Sequence, residues 1–356
     1  VERYAAHALE AMARGLLRAA GCGGEEAALV AEHLVGANLA GHDSHGVGML
    51  PAYVDYLGRG LYLADHTPVV VRDAGAVVVV DAGRGMGQHM ARIALDRGIP
   101  RAKELGACVV ALRESAHVGR IGAYAEYCAA QGLASAHFVN VVDHEPVVAP
   151  FGGGDARFVT NPFCATLPDP EGAGALLDMA TSTIALGKAR VAHNRGEPVP
   201  AGSLLDREGR PTSDPEALVE RHEGALTAFG RHKGSGLAII CELFAGALSG
   251  GRTIQPEHTR HGSILNNMVS VLMDPSAFGD ADAIAREARA FGAYVKASPA
   301  APGVDAVGLP GDPETAARGE RAARGVPVEA RTLDQIRAAA TAVGLARADI
   351  DRWLGG

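Results

Sequence analysis

Apolar residues recur at helical spacing over residues 3–19, with Leu9, Met12, Leu16 and Leu17 on one face, and again over 24–40, with Gly21 and Gly23 between the two runs. The pattern predicts two amphipathic helices. A third helix is expected over 47–57, broken early by Pro51, followed by strands at 69–72 and 77–81 hinged at Asp73-Ala74-Gly75. The next stretch reads as a β-α-β unit: strand 107–112, loop 113–117, helix 119–131, strand 133–139. Strands at 163–167 and 175–179 precede a helix from Ile184 to Val191. Residues 193–216, rich in Gly and Pro, read as a surface loop or lid. A helix over 232–248, a strand over 268–273, a helix over 281–296 and a Pro/Ala/Gly-rich link at 298–303 follow, and two or three terminal helices end at Trp353. No internal repeat emerges. The chain reads as an α/β protein.

Composition narrows the partners. With 356 residues, 47% hydrophobic and 21% charged, the chain matches an ordinary soluble globular protein large enough for two domains. The net charge of -8 is spread along it without any Lys/Arg-rich run. Neither a nucleic acid nor a membrane surface is therefore expected, and a small molecule is. Five scattered cysteines without a Cys-x-x-Cys pair argue against a disulfide framework or zinc site, and suggest buried thiols of a cytoplasmic protein. Residues 1–20 lack the apolar run of a signal peptide or membrane span.

The candidate chemistry lies between the elements. Gly41-His42-Asp43-Ser44-His45-Gly46 packs two imidazoles, a carboxylate and a hydroxyl between glycines. A reaction that moves charge on or off a carbon–oxygen bond near pH 7 needs a proton partner of matching pKa, and histidine is the usual one. Ser44 is placed to orient His45 or to bind the reacting oxygen; otherwise the cluster is a polar helix end, with Asp43 or Ser44 as a cap. His117 and Arg120 sit where a strand meets a helix N-terminus, a favoured ligand position, or are an ordinary loop histidine and a solvated charge. His232-Lys233-Gly234-Ser235-Gly236 opens an apolar helix, suited to an anion or to simple capping. Thr181 and Ser182 offer a cap or phosphate-binding hydroxyls.

Other patterns exclude chemistry. Gly83-Arg84-Gly85-Met86-Gly87 follows a Val run but spaces its glycines as G-x-G-x-G, and Glu104 falls inside the next helix, so the Rossmann fingerprint fails. Pro150 to Gly154 is followed by no Gly-Lys-Ser/Thr, so it is no P-loop. No His-x-His or His-Glu-x-x-His spacing occurs, and no metal is expected.

Taken together, Asp43-Ser44-His45-Gly46-Val47, Gly83 to Gln88, Ser115 to Gly119, Thr160-Asn161-Pro162, Leu177 to Ser182 and Lys233 to Ala238 resemble the type-2 malate/L-lactate dehydrogenase family, over almost the whole chain. Gly41-His42-Asp43, Gly48 to Pro51, His117 to Gly122 and Leu309-Pro310-Gly311 are similar to its hydroxycarboxylate dehydrogenase B branch. The resemblance implies a non-Rossmann fold and a homodimer. It implies an NAD(P)-binding domain (118–298) and a helical substrate and dimerisation domain built from both chain ends (1–117 with 299–356). It further implies reduction of 2-oxo acids to 2-hydroxy acids with NAD or NADP, or, alternatively, of cyclic or N-alkyl imines of 2-oxo acids to amino acids. The glycine loop at 83–87 is then structural.

By the same resemblance, His45 lies beside the nicotinamide and either His45 or His117 is the acid/base. The cofactor would touch His45, Gly119, Arg120, Ile121, Leu176, Leu177, Asp178, Met179, Ala180, His232, Lys233, Asn266, Gly311, Asp312, Pro313 and Glu314. One departure stands out: Met49 occupies a position where many members carry an arginine suited to clamp a carboxylate. Arg120 is the substitute candidate for that clamp, or a cofactor contact. Met49 suits a larger, less polar substrate side chain, and Thr160 is a further substrate candidate.

Overall fold

The computed structural model describes residues 2–172 and 174–355. Nine strands carry the frame: β1 (Glu2–Tyr4), β2 (Val69–Ala74), β3 (Val77–Asp81), β4 (Ala107–Ala116), β5 (Ala134–Val142), β6 (Phe163–Leu167), β7 (Ala175–Met179), β8 (Leu265–Met273) and β9 (Val326–Val328). The main helices are α1 (Ala6–Ala19), α2 (Gly24–Leu39), α3 (Leu50–Gly58), α4 (Gly87–Leu105), α5 (Gly122–Ala130), α6 (Leu186–Arg195), α7 (His232–Cys241), α8 (Ala281–Lys296), α9 (Asp312–Arg324), α10 (Ala330–Ala342) and α11 (Arg347–Leu354). The expected loop at 193–216 begins as the end of α6 and then contributes Leu204–Leu205 and Pro211–Thr212 to a short ribbon, in which Leu204–Leu205 also pairs with Ala225–Leu226. Among the described residues no helix is long and apolar enough to cross a membrane.

Seven strands form one sheet in the order β2-β3-β4-β8-β5-β6-β7. Only the β3/β4 pair is parallel; every other neighbour is antiparallel. A Rossmann sheet is parallel throughout its nucleotide half, so this is another architecture. The expected β-α-β unit is split: β8 lies between β4 and β5, with Val269 opposite Ala111 on one side and Phe138 on the other. Periodicity sees elements close in sequence, whereas β8 arrives from more than a hundred residues away. The crossover whose strands do touch is β3-α4-β4, and the G-x-G-x-G stretch is its first turn.

Several boundaries differ from the pattern. Strand β4 continues through Ala116, so residues 113–116 are strand and His117 stands at its end. Helix α5 begins at Gly122, because Gly119 has φ +72°, outside the right-handed helical region. Pro51 lies in the first turn of α3, where no N–H is needed, and does not break it. The helix over 232–248 changes at Glu242 to a π-helical turn, whose buried carboxylate accepts from Asn140 Nδ2, Asn161 Nδ2 and the Ile254 N–H. Thr181 and Ser182 cap nothing: their hydroxyls donate to the carbonyls of Thr160 and Ile184.

One apolar core lies among the chain-end helices, with Leu9, Leu16, Leu34, Leu50, Leu333 and Ile336 fully buried. A second seats α4 and α5 on the sheet through Val80, Leu95, Leu112, Tyr124 and Met268. The two termini are joined by the β1/β9 pair and by Trp353, whose ring fills the space above Gly15.

Candidate active site

The turn between α2 and α3, the end of β4 and the start of α4 meet at the junction of these layers. Asn38 shapes the turn, its side chain accepting from the Val47 N–H (2.9 Å) and donating to Asp43 Oδ1 (2.7 Å). Arg321 grips both oxygens of Asp43 at 2.6 and 2.9 Å. Asp43 thus ties the turn to α9 and is no cap. What remains facing inward is His45, with Ser44 Oγ 3.0 Å from its Nδ1, the contact expected of an orienting hydroxyl.

The His45 and His117 rings stack at 5.6 Å with 25° between their planes. His117 is fixed from behind. Its N–H donates to Tyr62 Oη (3.2 Å), which donates to the Ile264 carbonyl (2.6 Å). Its Nδ1 lies 2.7 Å from Tyr53 Oη, and Gln88 Nε2 donates to that same hydroxyl at 2.7 Å. Two glycines admit this approach. A Cβ on Gly87 would lie 2.2 and 2.3 Å from the carbonyl oxygens of Ala116 and His117, and one on Gly119 would lie 2.6 Å from His33 Nε2.

Sequence reasoning missed Tyr53, Gln88 and His33. Gln88 closed a glycine stretch shared with the family, which was a usable signal; Tyr53 and His33 were hidden as apolar-face positions of helices. Burial, with smaller contributions from neighbouring imidazoles and, for His45 and His33, from Arg120, pushes His45 down to about 4 and His33 down to about 3, and holds His117 well below the usual histidine range. All three imidazoles are neutral at pH 7.

Arg120 is buried, opposed in its charge by that burial but held cationic by Glu126 (Nη1, 2.9 Å) and Asp178 (Nε, 2.9 Å). Among the described residues its Nη2 is enclosed without a partner, and its Nε, though 2.9 Å from Asp178, makes no hydrogen bond either. The Gly122 N–H donates to Asp178 at 3.2 Å, and the Leu176 N–H donates to the Pro310 carbonyl at 3.3 Å. Gly311 lies beside Leu176, where a Cβ would make ordinary contact at 3.4 Å, and Glu314 Oε1 lies 3.0 Å from His42 Nε2. Residues 119–122, 176–178 and 310–314 are therefore joined to one another, and reach His33 through Gly119 and His42 through Glu314.

Other expected residues stand differently. Asn266 spends its amide on the backbone, accepting from the Val118 N–H and donating to the Asn140 carbonyl, so it braces the His117 turn. Asp312 pairs with Lys296 and accepts from the Leu309 N–H. Met49 packs half-buried on the helical core, and the Thr160 carbonyl accepts from Thr181. His232 and Lys233 are exposed at the start of α7, His232 edge-on to Phe151. No contact brings those two to His45 or His117. Among the described residues no group of three or more His, Cys, Asp or Glu side chains is placed to hold a metal ion.

The chain is similar to known proteins. The chain is 45% identical over 345 residues to hydroxycarboxylate dehydrogenase B of Escherichia coli (strain K12), covering 96% of this chain and 95% of that protein. It is 35% identical over 243 residues to a Δ1-pyrroline-2-carboxylate/Δ1-piperideine-2-carboxylate reductase of Pseudomonas putida, covering 68% of this chain and 70% of that protein. A solved E. coli structure, that of a candidate malate/lactate dehydrogenase, superposes with a TM-score of 0.95 at 43% identity over 100% of both chains. The model of the malate/L-lactate dehydrogenase family matches residues 4–337, and the chain belongs to that family.

Proposed function

We propose that this enzyme reduces 2-oxo acids to 2-hydroxy acids with a reduced nicotinamide dinucleotide, reversibly, and that His117 is the proton donor. The carrying observation is the stacked His45/His117 pair, in which His117 has Nδ1 engaged from behind while Nε2 is neither hydrogen-bonded nor fully enclosed among the described residues. That nitrogen is the one available to a substrate oxygen.

The residues present fit the cofactor. The enclosed, unpartnered Arg120 Nη2 is an orphaned donor beside three converging backbone segments, as a polar ring or pyrophosphate requires. Gly119, Arg120, Ile121, Leu176 to Ala180 and Gly311 to Glu314 would hold it, whether NAD or NADP. When bound, it supplies a hydride to C2 of the substrate. Arg120 neutralises part of the anionic charge, and His45 covers the reacting face with Ser44 holding its ring. His117 gives a proton to the developing alkoxide. An anionic substrate counters the burial that keeps these imidazoles neutral, so binding the 2-oxo acid raises their proton affinity where the proton is needed.

Met49 would line the side-chain end of the substrate, with Thr160 nearby. An imine arrives protonated and needs no such donor, so the buried support behind His117 favours the ketone. Residues 1–117 with 299–356 would form the substrate domain and 118–298 the cofactor domain, the first reaching through β2, β3 and β4 into the seven-stranded sheet of the second. The five buried free thiols support a cytoplasmic setting. Ile239, Ile240, Leu243, Phe244 and Leu248 expose an apolar stripe along α7 and the π turn, which a second copy of the chain would cover in a homodimer. Replacing His117 by Asn tests the donor role: kcat for 2-oxo acid reduction should fall roughly 10²–10⁴-fold with cofactor affinity kept. An unchanged kcat would remove His117 from the chemistry.

A further inference from the structure

We propose that Tyr53 and Gln88 form a reversible hydrogen-bond relay that fixes the proton of neutral His117 on Nε2 and, by a half-turn of the Gln88 amide, supports the same ring when it is protonated. The inference rests on His117 being the proton donor. The direction of the relay follows from what each group can do. Gln88 Nε2, 2.7 Å from Tyr53 Oη, can only donate, so Tyr53 accepts there and spends its own proton on His117 Nδ1, also at 2.7 Å. A neutral imidazole that accepts at Nδ1 carries its proton on Nε2.

The second state is read from an unsatisfied atom. Gln88 is wholly buried, yet among the described residues its Oε1 has no hydrogen-bond partner. Buried amide oxygens are nearly always paired, so this one calls for a reason. If His117 is protonated, Nδ1–H donates to Tyr53 Oη, and the phenol proton needs a new acceptor; once Nε2 gives its proton to the alkoxide, the ring is left as the Nδ1–H tautomer in the same arrangement, and returns to the Nε2–H form when the amide turns back. A half-turn of the Gln88 amide puts Oε1 where Nε2 now lies, and the phenol donates to it. The two ends of the amide are nearly the same size, so packing is unchanged. A glutamine can serve both states; a purely apolar residue serves neither end.

The titratable and charged groups facing His117 are His45 from the turn after α2, His33 from α2, Tyr53 from α3 and Tyr62 beyond α3, with Arg120 acting on His45 and His33. None of these is a carboxylate. The relay is therefore the neutral device that accommodates an imidazolium in a site without a counter-charge of its own. Tyr53 and Gln88 are positioning residues, since neither is placed to touch the substrate oxygen through any group but His117.

Two variants separate the two halves of the relay. In ¹⁵N-detected NMR of the ligand-free protein, wild-type His117 should show the Nε2–H tautomer. Tyr53→Phe should lose that bias. Gln88→Met should keep the tautomer, because Tyr53 still donates to Nδ1, but should leave the imidazolium state without its terminal acceptor. In the pH profile of kcat for 2-oxo acid reduction, activity falls as pH rises through the His117 pKa. Gln88→Met should move that falling limb down by about one pH unit with KM little changed. Tyr53→Phe should lower kcat at pH 7 roughly tenfold. A wild-type Nδ1–H tautomer, or a Gln88→Met limb that does not move, would overturn the relay. Absence of turnover in the wild type would instead sink the reductase reading, and the NMR tautomer would still decide the relay. If Tyr53→Phe does not fold, the wild-type spectrum and Gln88→Met carry the test.

Discussion

His33, His45 and His117 are crowded, neutral bases, and their burial links folding to pH. Each has a pKa lowered on folding, so the unfolded chain binds protons that the folded chain refuses. Their contribution is harmless above the ordinary histidine value of 6.5 and becomes a loss of stability as pH falls from there toward about 4, where His45 also protonates. Thermal melts should show a Tm falling between pH 7 and pH 5, with a shallower fall for His33→Gln. Parallel slopes for the two proteins would contradict that share for His33. His45 and His117 were both legible in the sequence because short polar clusters at strand and helix ends are where chemistry collects. Their proton state was not legible, since it depends on Tyr53, 64 residues from His117, and on Gln88.

At the scale of elements, the β3-α4-β4 crossover does the positioning. Gly87 lets α4 press on the end of β4, and the next residue of the helix delivers Gln88 to the relay. Gly87→Ala would drive a methyl into two backbone oxygens that cannot turn aside, costing roughly 1–3 kcal/mol and displacing His117. Chemical denaturation should register that loss, and turnover should fall further than stability alone explains; an unshifted midpoint would refute it. Helices α1 and α2 and strand β3 were read well from periodicity, but β1, which takes Arg3 and Tyr4 out of the expected first helix, was missed, and β2 runs through Ala74 where a hinge was expected. The sheet order was not, because β8 joins β4 to β5 from a distant part of the chain. The π turn at Glu242 was hidden as well, since a carboxylate buried against Asn140 and Asn161 looks from sequence like an ordinary surface position.

Across the whole molecule, the first and last segments close on each other around the turn that carries His45. Arg321 holds Asp43 from α9, and Asp43→Asn removes half of a two-pronged pair while leaving Asn38 in place. A loss of about 1 kcal/mol is expected for this partly exposed pair, read as a lowered Tm. Assembly is tested by light scattering coupled to gel filtration. The wild type should run as a dimer and Leu243→Glu as a monomer, whereas a monomeric wild type would leave the apolar stripe on α7 without its proposed cover.

The most direct test of the central claim is loss of reduced-nicotinamide absorbance with NADH and NADPH against pyruvate, oxaloacetate, 2-oxoglutarate and phenylpyruvate, each with and without methylamine. Turnover of at least one 2-oxo acid without amine is the predicted result. Turnover only when the amine is present would assign the site to imines, and none with either cofactor would contradict the account.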